Sequence, residues 1–138
     1  MSSCKECGKS ALKSNQLYCS NKCQNDFQYH KYIERWKSKQ TNGSRGVLAK
    51  NISNHVRRFL LEKFNYSCTI CGWSEVNLVT RTVPVEVDHI DGNSDNNSEY
   101  NLRLVCPNCH SLTNSYRNLN KGNGRAWRRN KYIKNLPA

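Results

Sequence analysis

Four residues in the second half of the chain have side chains that could do chemistry together: Asp88, His89, Asn101 and His110. An imidazole can take a proton from water near neutral pH. Carboxylates and imidazoles can also hold metal ions. A lone histidine is ordinarily a satisfied core or surface residue, but this set is framed by Cys68-x2-Cys71 and Cys106-x2-Cys109, with His110 directly after the last cysteine. Zinc asks for about four thiolate or imidazole ligands in a tetrahedron, and a Cys-x2-Cys turn supplies two at a suitable separation. A second quartet, Cys4-x2-Cys7-x11-Cys19-x3-Cys23, stands at the other end. The spacing therefore predicts two structural zinc ions, each held by four cysteines.

Two other chemistries fit less well. Cys106-Pro-Asn-Cys109-His110 has the form of a haem-attachment motif, yet that reading leaves Cys68 and Cys71 without partners. The polar run Asp91–Leu102 looks like a calcium loop but lacks glycine at its sixth position and glutamate at its twelfth.

Positioning these groups falls to a small protein. The 138 residues are 36% hydrophobic with a mean hydropathy of -0.86, a composition that needs staples because its core is thin. The opening MSSCKECGKS has no apolar export region, and no 18-residue apolar stretch occurs. A cytoplasmic chain with reduced, metal-holding thiols is expected, with no membrane and no small-molecule cofactor. Lys plus Arg number 22 against 10 acids, a net charge of +12 that favours polyanions such as nucleic acid. Glu75, Glu86, Asp88, Asp91, Asp95 and Glu99 cluster together with Arg81 the only Lys or Arg among them, while no acid follows Glu99. An acidic island in a basic chain reads as a metal-holding centre inside a phosphate-binding surface. Arg45, Lys50, Arg57, Arg58, Arg103, Arg117, Arg125, Arg128 and Arg129 are the candidate phosphate contacts.

Tyr29, Ile33 and Trp36 recur at helical spacing, which predicts a helix over 21–36 after the first quartet. Residues 37–50 read as a basic flexible linker. Ile52, Val56, Phe59, Leu60 and Phe64 form one apolar stripe, predicting a helix over 52–64 with His55, Arg57, Arg58 and Lys63 turned away. The alternation in 83–90 predicts a strand carrying Asp88 and His89 on opposite faces. A polar loop over 91–101, an apolar run over 102–106 and a helix over 110–117 follow, the last placing Asn114 one turn beyond His110. The expected domains are 1–36, the linker 37–50, 51–120, and a basic tail 121–138.

Cys68-Thr-Ile-Cys-Gly-Trp73, Val87-Asp-His-Ile-Asp-Gly-Asn93 and Asn101-Leu-Arg-Leu-Val-Cys-Pro-Asn-Cys-His110 together resemble the HNH endonucleases of the ββα-metal class. Many proteins of this kind are phage-encoded, some as homing-type nucleases. The first quartet, with Tyr18-Cys-Ser-Asn-Lys-Cys23 leading into a helix, resembles a treble-clef zinc finger. The resemblance implies a small, zinc-stabilised α+β fold: a ββα-metal HNH core preceded by a treble-clef-like finger and helix. It implies that His89 is the general base and that Asp88 and His110 hold one catalytic divalent ion, magnesium or manganese. Asn101 would pin the loop that orients His89, the zinc on Cys68, Cys71, Cys106 and Cys109 would be structural, and the partner would be double-stranded DNA. Two alternatives stay open at this level, a non-catalytic zinc module that binds nucleic acid and an RNA-directed nuclease.

Overall fold

The structure, a computed structural model, describes residues 2–10, 13–45 and 51–120. Its contacts divide the chain into two units, Met1–Thr41 and Asn42–Ala138.

In the first unit the helix α1, Asn21–Lys37, starts where Ser20 accepts a hydrogen bond from the Cys23 N–H. Serine is a favoured cap because its hydroxyl satisfies a backbone donor that the first turn leaves free. Tyr29, Ile33 and Trp36 are the buried positions of α1, as their spacing predicts. Arg35 and Lys37 sit in the last turn, where cations complement the exposed carbonyls.

The second unit opens with 43–45 held against 51–53: Ser44 bridges Ile52, Arg45 N–H reaches Asn51 O at 2.7 Å, and Ser53 N–H reaches Gly43 O at 2.9 Å. Residues 46–50, within the expected linker, lie outside the described residues. Helix α2 runs over Asn54–Lys63 rather than from residue 52, because the Ser53 side chain accepts from the His55 N–H and so begins the helix there. Val56 and Leu60 are fully buried and Phe59 and Phe64 half-buried.

Strand β1, Glu86–His89, pairs antiparallel with β2, Leu102–Val105, in the register Glu86↔Val105, Val87↔Leu104, Asp88↔Arg103 and His89↔Leu102. The strand is shorter than the alternation over 83–90 suggests. Pro84 has no N–H to donate to a ladder, and Val85 N–H turns back onto Val83 O at 2.8 Å. Val83, Val85, Leu102, Leu104 and Val105 are buried and form the apolar floor with Val56 and Leu60. Between the strands, the loop closes through a short 3-10 turn at Glu99–Asn101.

Helix α3 spans Pro107–Ser111, not 110–117. Cys106 caps it and Pro107 occupies its first turn, a position that needs no N–H. It stops early because the Ser111 hydroxyl donates to Asn108 O and the Thr113 hydroxyl to His110 O, occupying carbonyls near the helix end. Asn114 consequently lies on an exposed turn and not on a helix face shared with His110. A further 3-10 turn covers Arg117–Asn120.

Three predicted elements are thereby shifted in their bounds, and the class stands: among the described residues, a small α+β protein with one two-stranded sheet and two cysteine quartets. Among the described residues no helix is long and apolar enough to cross a membrane.

Candidate active site

Both quartets begin with the same local turn. Cys4-Lys-Glu-Cys7-Gly8 closes with Gly8 N–H on Cys4 O, and Cys68-Thr-Ile-Cys71-Gly72 with Gly72 N–H on Cys68 O, each at 2.9 Å. Gly8 and Gly72 sit at φ +73° and +79°, the left-handed region where a side chain is strained. A Cβ at either would touch nothing within 4 Å, so the requirement is conformational and not steric crowding. The second halves come from helix starts: Cys23 in the first turn of α1, and Cys106 and Cys109 around the start of α3.

In each set the four sulfur atoms lie within 4.8 Å of one another, with Cys19–Cys23 at 3.4 Å, Cys7–Cys19 at 3.6 Å and Cys71–Cys106 at 3.8 Å. Zn–S bonds of about 2.3 Å place tetrahedral sulfurs about 3.8 Å apart, so both sets fit zinc. The electrostatics point the same way. Backbone N–H groups of Cys7, Cys19 and Glu6 outweigh burial and pull the Cys4 thiol down to about 6. Burial raises Cys68, but the N–H groups of Cys71, Cys106 and Ile70 prevail and bring it to about 6. At the far side the Ser20 hydrogen bond favours the Cys23 thiolate, yet Cys19, burial, Cys7 and Cys4 push it up to about 12. Cys106, Cys71, burial and Cys68 push Cys109 up to about 12. Four thiolates cannot share such a space without a cation between them.

The second quartet is tied to the sheet. Thr69 places both its N–H and its hydroxyl on Leu104 O, at 2.9 and 2.8 Å. Cys68, Val105 and Cys106 are buried together, with Trp73 and Cys109 packed against them. The cysteine turn is thereby tied to β2, and the helix that Cys106 caps presents His110.

Asp88 is the buried acid of β1, 6% exposed, while Ile90 two positions on is 52% exposed. This inverts the apolar-in pattern of an ordinary strand, and the reason is a set of partners for the carboxylate. Arg103, directly opposite in the ladder, donates Nε–H to Asp88 Oδ2 at 2.8 Å. The other oxygen, Oδ1, faces His110 Nε2 at 3.9 Å. That separation is too long for a hydrogen bond, but two ligand atoms of one ion at about 2.1 Å each can span up to about 4.2 Å. On the far side of the ring, His110 Nδ1 meets Glu86 Oε2 at 2.5 Å. A carboxylate accepts only, so Nδ1 donates to Glu86, and Nε2 is the ring nitrogen turned toward Asp88. Tyr116 packs edge-on against the same ring, with centroids 5.2 Å apart.

His89 points elsewhere in the strand alternation. It is half-buried, and its Nε2 lies 2.8 Å from Asn97 Oδ1. Asn101 is 4% exposed and closes the loop on three sides. Its Oδ1 accepts from Asp91 N–H at 3.0 Å, and its Nδ2 donates to Asp91 Oδ1 and to Asn96 O at 2.9 and 2.8 Å. Asp91 itself is held below the usual carboxylate range. Its slight burial opposes the charge, but donors from Asn96, Asn93 and Asn101 and the neighbouring His89 outweigh that.

The basic residues are spread more widely. Arg45 donates to Asn54 Oδ1 at 3.0 Å, Arg57 to Val85 O at 3.0 Å, and Arg58 to Glu62 Oε1 at 3.0 Å. Arg117 lies over the Tyr116 ring at 5.0 Å. Arg103 has its Nε committed to Asp88. Lys50, Arg125, Arg128 and Arg129 lie outside the described residues.

In the sequence Glu86 and Asp91 are legible only as members of the acidic island, and Asn97 is not singled out at all. Glu86 carries a usable signal, since it is two strand positions before Asp88 and so shares its face. Asn97 is one of several asparagines in a polar loop, and its spacing does not distinguish it.

Residues 68–115 match the family described as HNH endonuclease. Over 57 residues the chain is 40% identical to the H-N-H endonuclease F-TflIV of Escherichia phage T5, a stretch covering 41% of this chain and 24% of that protein. The chain thus spans about a quarter of the length of the curated relative that it matches. No solved structure gives a match. The matched region contains the second quartet and every residue of the Asp88, His89, Asn101 and His110 set.

Proposed function

We propose that this chain is a divalent-metal-dependent DNA endonuclease whose HNH domain hydrolyses one phosphodiester bond per encounter. The observation that carries the reading is the convergence of Asp88 Oδ1 and His110 Nε2 at 3.9 Å, with Arg103 behind one and Glu86 behind the other. Asp88 and His110 would hold the catalytic ion, magnesium or manganese, and the ion would supply positive charge to the scissile phosphate and to the leaving 3′ oxygen.

The chain's own groups account for the rest. His89 accepts a proton from the attacking water as its oxygen bonds to phosphorus, and the P–O3′ bond breaks. Glu86 holds the His110 ring so that Nε2 stays a lone-pair nitrogen. Arg103 keeps the buried Asp88 carboxylate charged and aimed. Asn101 grips Asp91 and Asn96 and so sets the loop beside His89. Both Cys4 sets are structural, because four thiolates leave zinc no open position. The net charge of +12 supports a sequence-independent phosphate contribution to binding, with Arg45, Arg57, Arg58, Arg117 and the basic tail as its sources. The phage relative's name is that of an H-N-H endonuclease, which favours cleavage over a purely binding role. One catalytic set per chain favours a nick by a single copy.

Incubation with supercoiled plasmid, with and without magnesium or manganese, tests this directly. Nicked or linear product that requires the metal and disappears in His89→Ala is expected. Plasmid left intact under every metal condition sinks the reading in favour of a binding module.

A further inference from the structure

Asn97 stands apart from the residues discussed so far, because it meets the side chain read above as the general base directly. It lies in the β1–β2 loop at 6% exposure, and its Oδ1 is 2.8 Å from His89 Nε2. We infer that Asn97 is a positioning residue that determines which nitrogen of His89 accepts the proton, and that this nitrogen is Nδ1. The inference rests on the reading of His89 as the general base.

An amide oxygen can only accept a hydrogen bond, so the ring nitrogen that faces it must carry hydrogen. A neutral imidazole has a single N–H. With that hydrogen on Nε2, the lone pair lies on Nδ1. In the reaction a water O–H bond breaks and an Nδ1–H bond forms. The ring becomes imidazolium, with both nitrogens donating, and Asn97 still accepts from Nε2–H without changing its own charge. The contact therefore holds before and after proton transfer, and no rearrangement of the ring is needed during the step. Solvent then takes the Nδ1 proton and restores the base.

The same geometry shows how Asn101 can reach His89 without touching it. Asn101 Nδ2 donates to Asn96 O at 2.8 Å, the carbonyl of the peptide that leads into Asn97. Asn96 is gripped again through its side chain, whose Nδ2 donates to Asp91 Oδ2 at 2.8 Å. Asn101 and Asp91 thus fix the backbone at 96–97, and Asn97 conveys that placement to the ring.

The test uses the full chain, zinc-loaded, with 15N-labelled histidine. Long-range 1H–15N spectra are recorded well above the ordinary imidazole pKa of about 6.5, and His89→Ala identifies the signals. Expected is a single His89 form with hydrogen on Nε2 and a lone pair on Nδ1. Hydrogen on Nδ1 would mean that the Asn97 amide faces the other way, and the inference would fall. That measurement needs no variant of Asn97 and no activity. For function, Asn97→Leu removes the acceptor at similar size. It should lower kcat at least about tenfold, yet by less than the roughly 10²–10⁴-fold of losing the base itself. KM and both zinc ions should be unchanged. Asn97→Asp, which still accepts, should recover most of the loss. Equal activity in Asn97→Leu and the unsubstituted chain, or equal loss in the Leu and Asp variants, overturns the inference. A His89→Ala variant that cleaves normally would instead refute the general-base reading, whatever the spectra say.

Discussion

The two cysteine quartets are built alike and used differently. Each opens with a Cys-x2-Cys-Gly turn whose glycine is left-handed; the first takes Cys23 from the first turn of α1 and Cys19 from the bend before it, and the second takes Cys106 and Cys109 from the start of α3. What differs is what neighbours each quartet. In the first unit the helix that begins at the quartet is α1, with Tyr29, Ile33 and Trp36 buried along it. In the second the turn is bonded to β2 through Thr69 and Leu104, and the helix is only Pro107–Ser111. That short helix delivers His110 to the strand that holds Asp88 and Glu86. A zinc quartet is thus a general way to fix two chain segments, and the chemistry depends on which side chains those segments present.

The comparison is broken most severely by removing one zinc at a time. Cys71→Ser should leave one zinc per chain by elemental analysis and abolish cleavage, because structural zinc contributes about 10–16 kcal/mol of apparent folding energy in small domains. Cys7→Ser should also leave one zinc, but with cleavage retained and DNA binding weakened. Loss of cleavage in both variants would mean that the two units do not work separately.

The next largest effect separates base from ligand. His89→Ala should lower cleavage by about 10²–10⁴-fold with both zinc ions kept and no recovery at high magnesium or manganese. His110→Ala should lose activity that is partly recovered when either metal is raised. Glu86→Ala should resemble His110→Ala in milder form, weakening the divalent ion by about 10–100-fold. Titrating cleavage against metal for the three variants sorts them. Metal rescue of His89→Ala would reverse the assigned roles.

The pH dependence of zinc loading comes next and should be alike in the two units. With Cys23 and Cys109 pushed up to about 12, both are protonated at pH 7, and zinc must displace those protons. Bound zinc lowers the thiol values far below the ordinary Cys value of about 8.5. The stability that it lends is therefore present at higher pH and is lost as pH falls. Zinc affinity should rise from pH 6 to pH 8, and calorimetry in buffers of different ionisation enthalpy should detect the proton release. Affinity flat over that range would contradict a thiolate site.

The smallest expected effect is the sharpest test of likeness. Gly8→Ala and Gly72→Ala place a side chain in the same left-handed turn with nothing to clash against. Each should cost about 1–2 kcal/mol of local stability, seen as easier zinc loss to a chelator. Only Gly72→Ala should also slow cleavage.

Much of this protein could be read from its residues alone. Both quartets were legible because metal coordination imposes ligand spacings that chance does not reproduce, and α1 was legible because a 17-residue amphipathic helix repeats its pattern several times. Types and order within a recognisable motif single out Asp88, His89, Asn101 and His110, of which the structure brings Asp88 and His110 together. Short elements were not: α3 ends where the Ser111 and Thr113 hydroxyls meet carbonyls, and β1 begins where Pro84 leaves the ladder, competitions of one hydrogen bond each that periodicity cannot weigh. Only the tertiary structure decided that Arg103 faces Asp88, that Glu86 backs His110, and that Asn97 among its neighbouring asparagines meets His89. The physical reason is that strand register and loop closure bring together residues far apart in the chain. A one-residue slip in either would move each of those side chains to another face while leaving the composition and the motif unchanged.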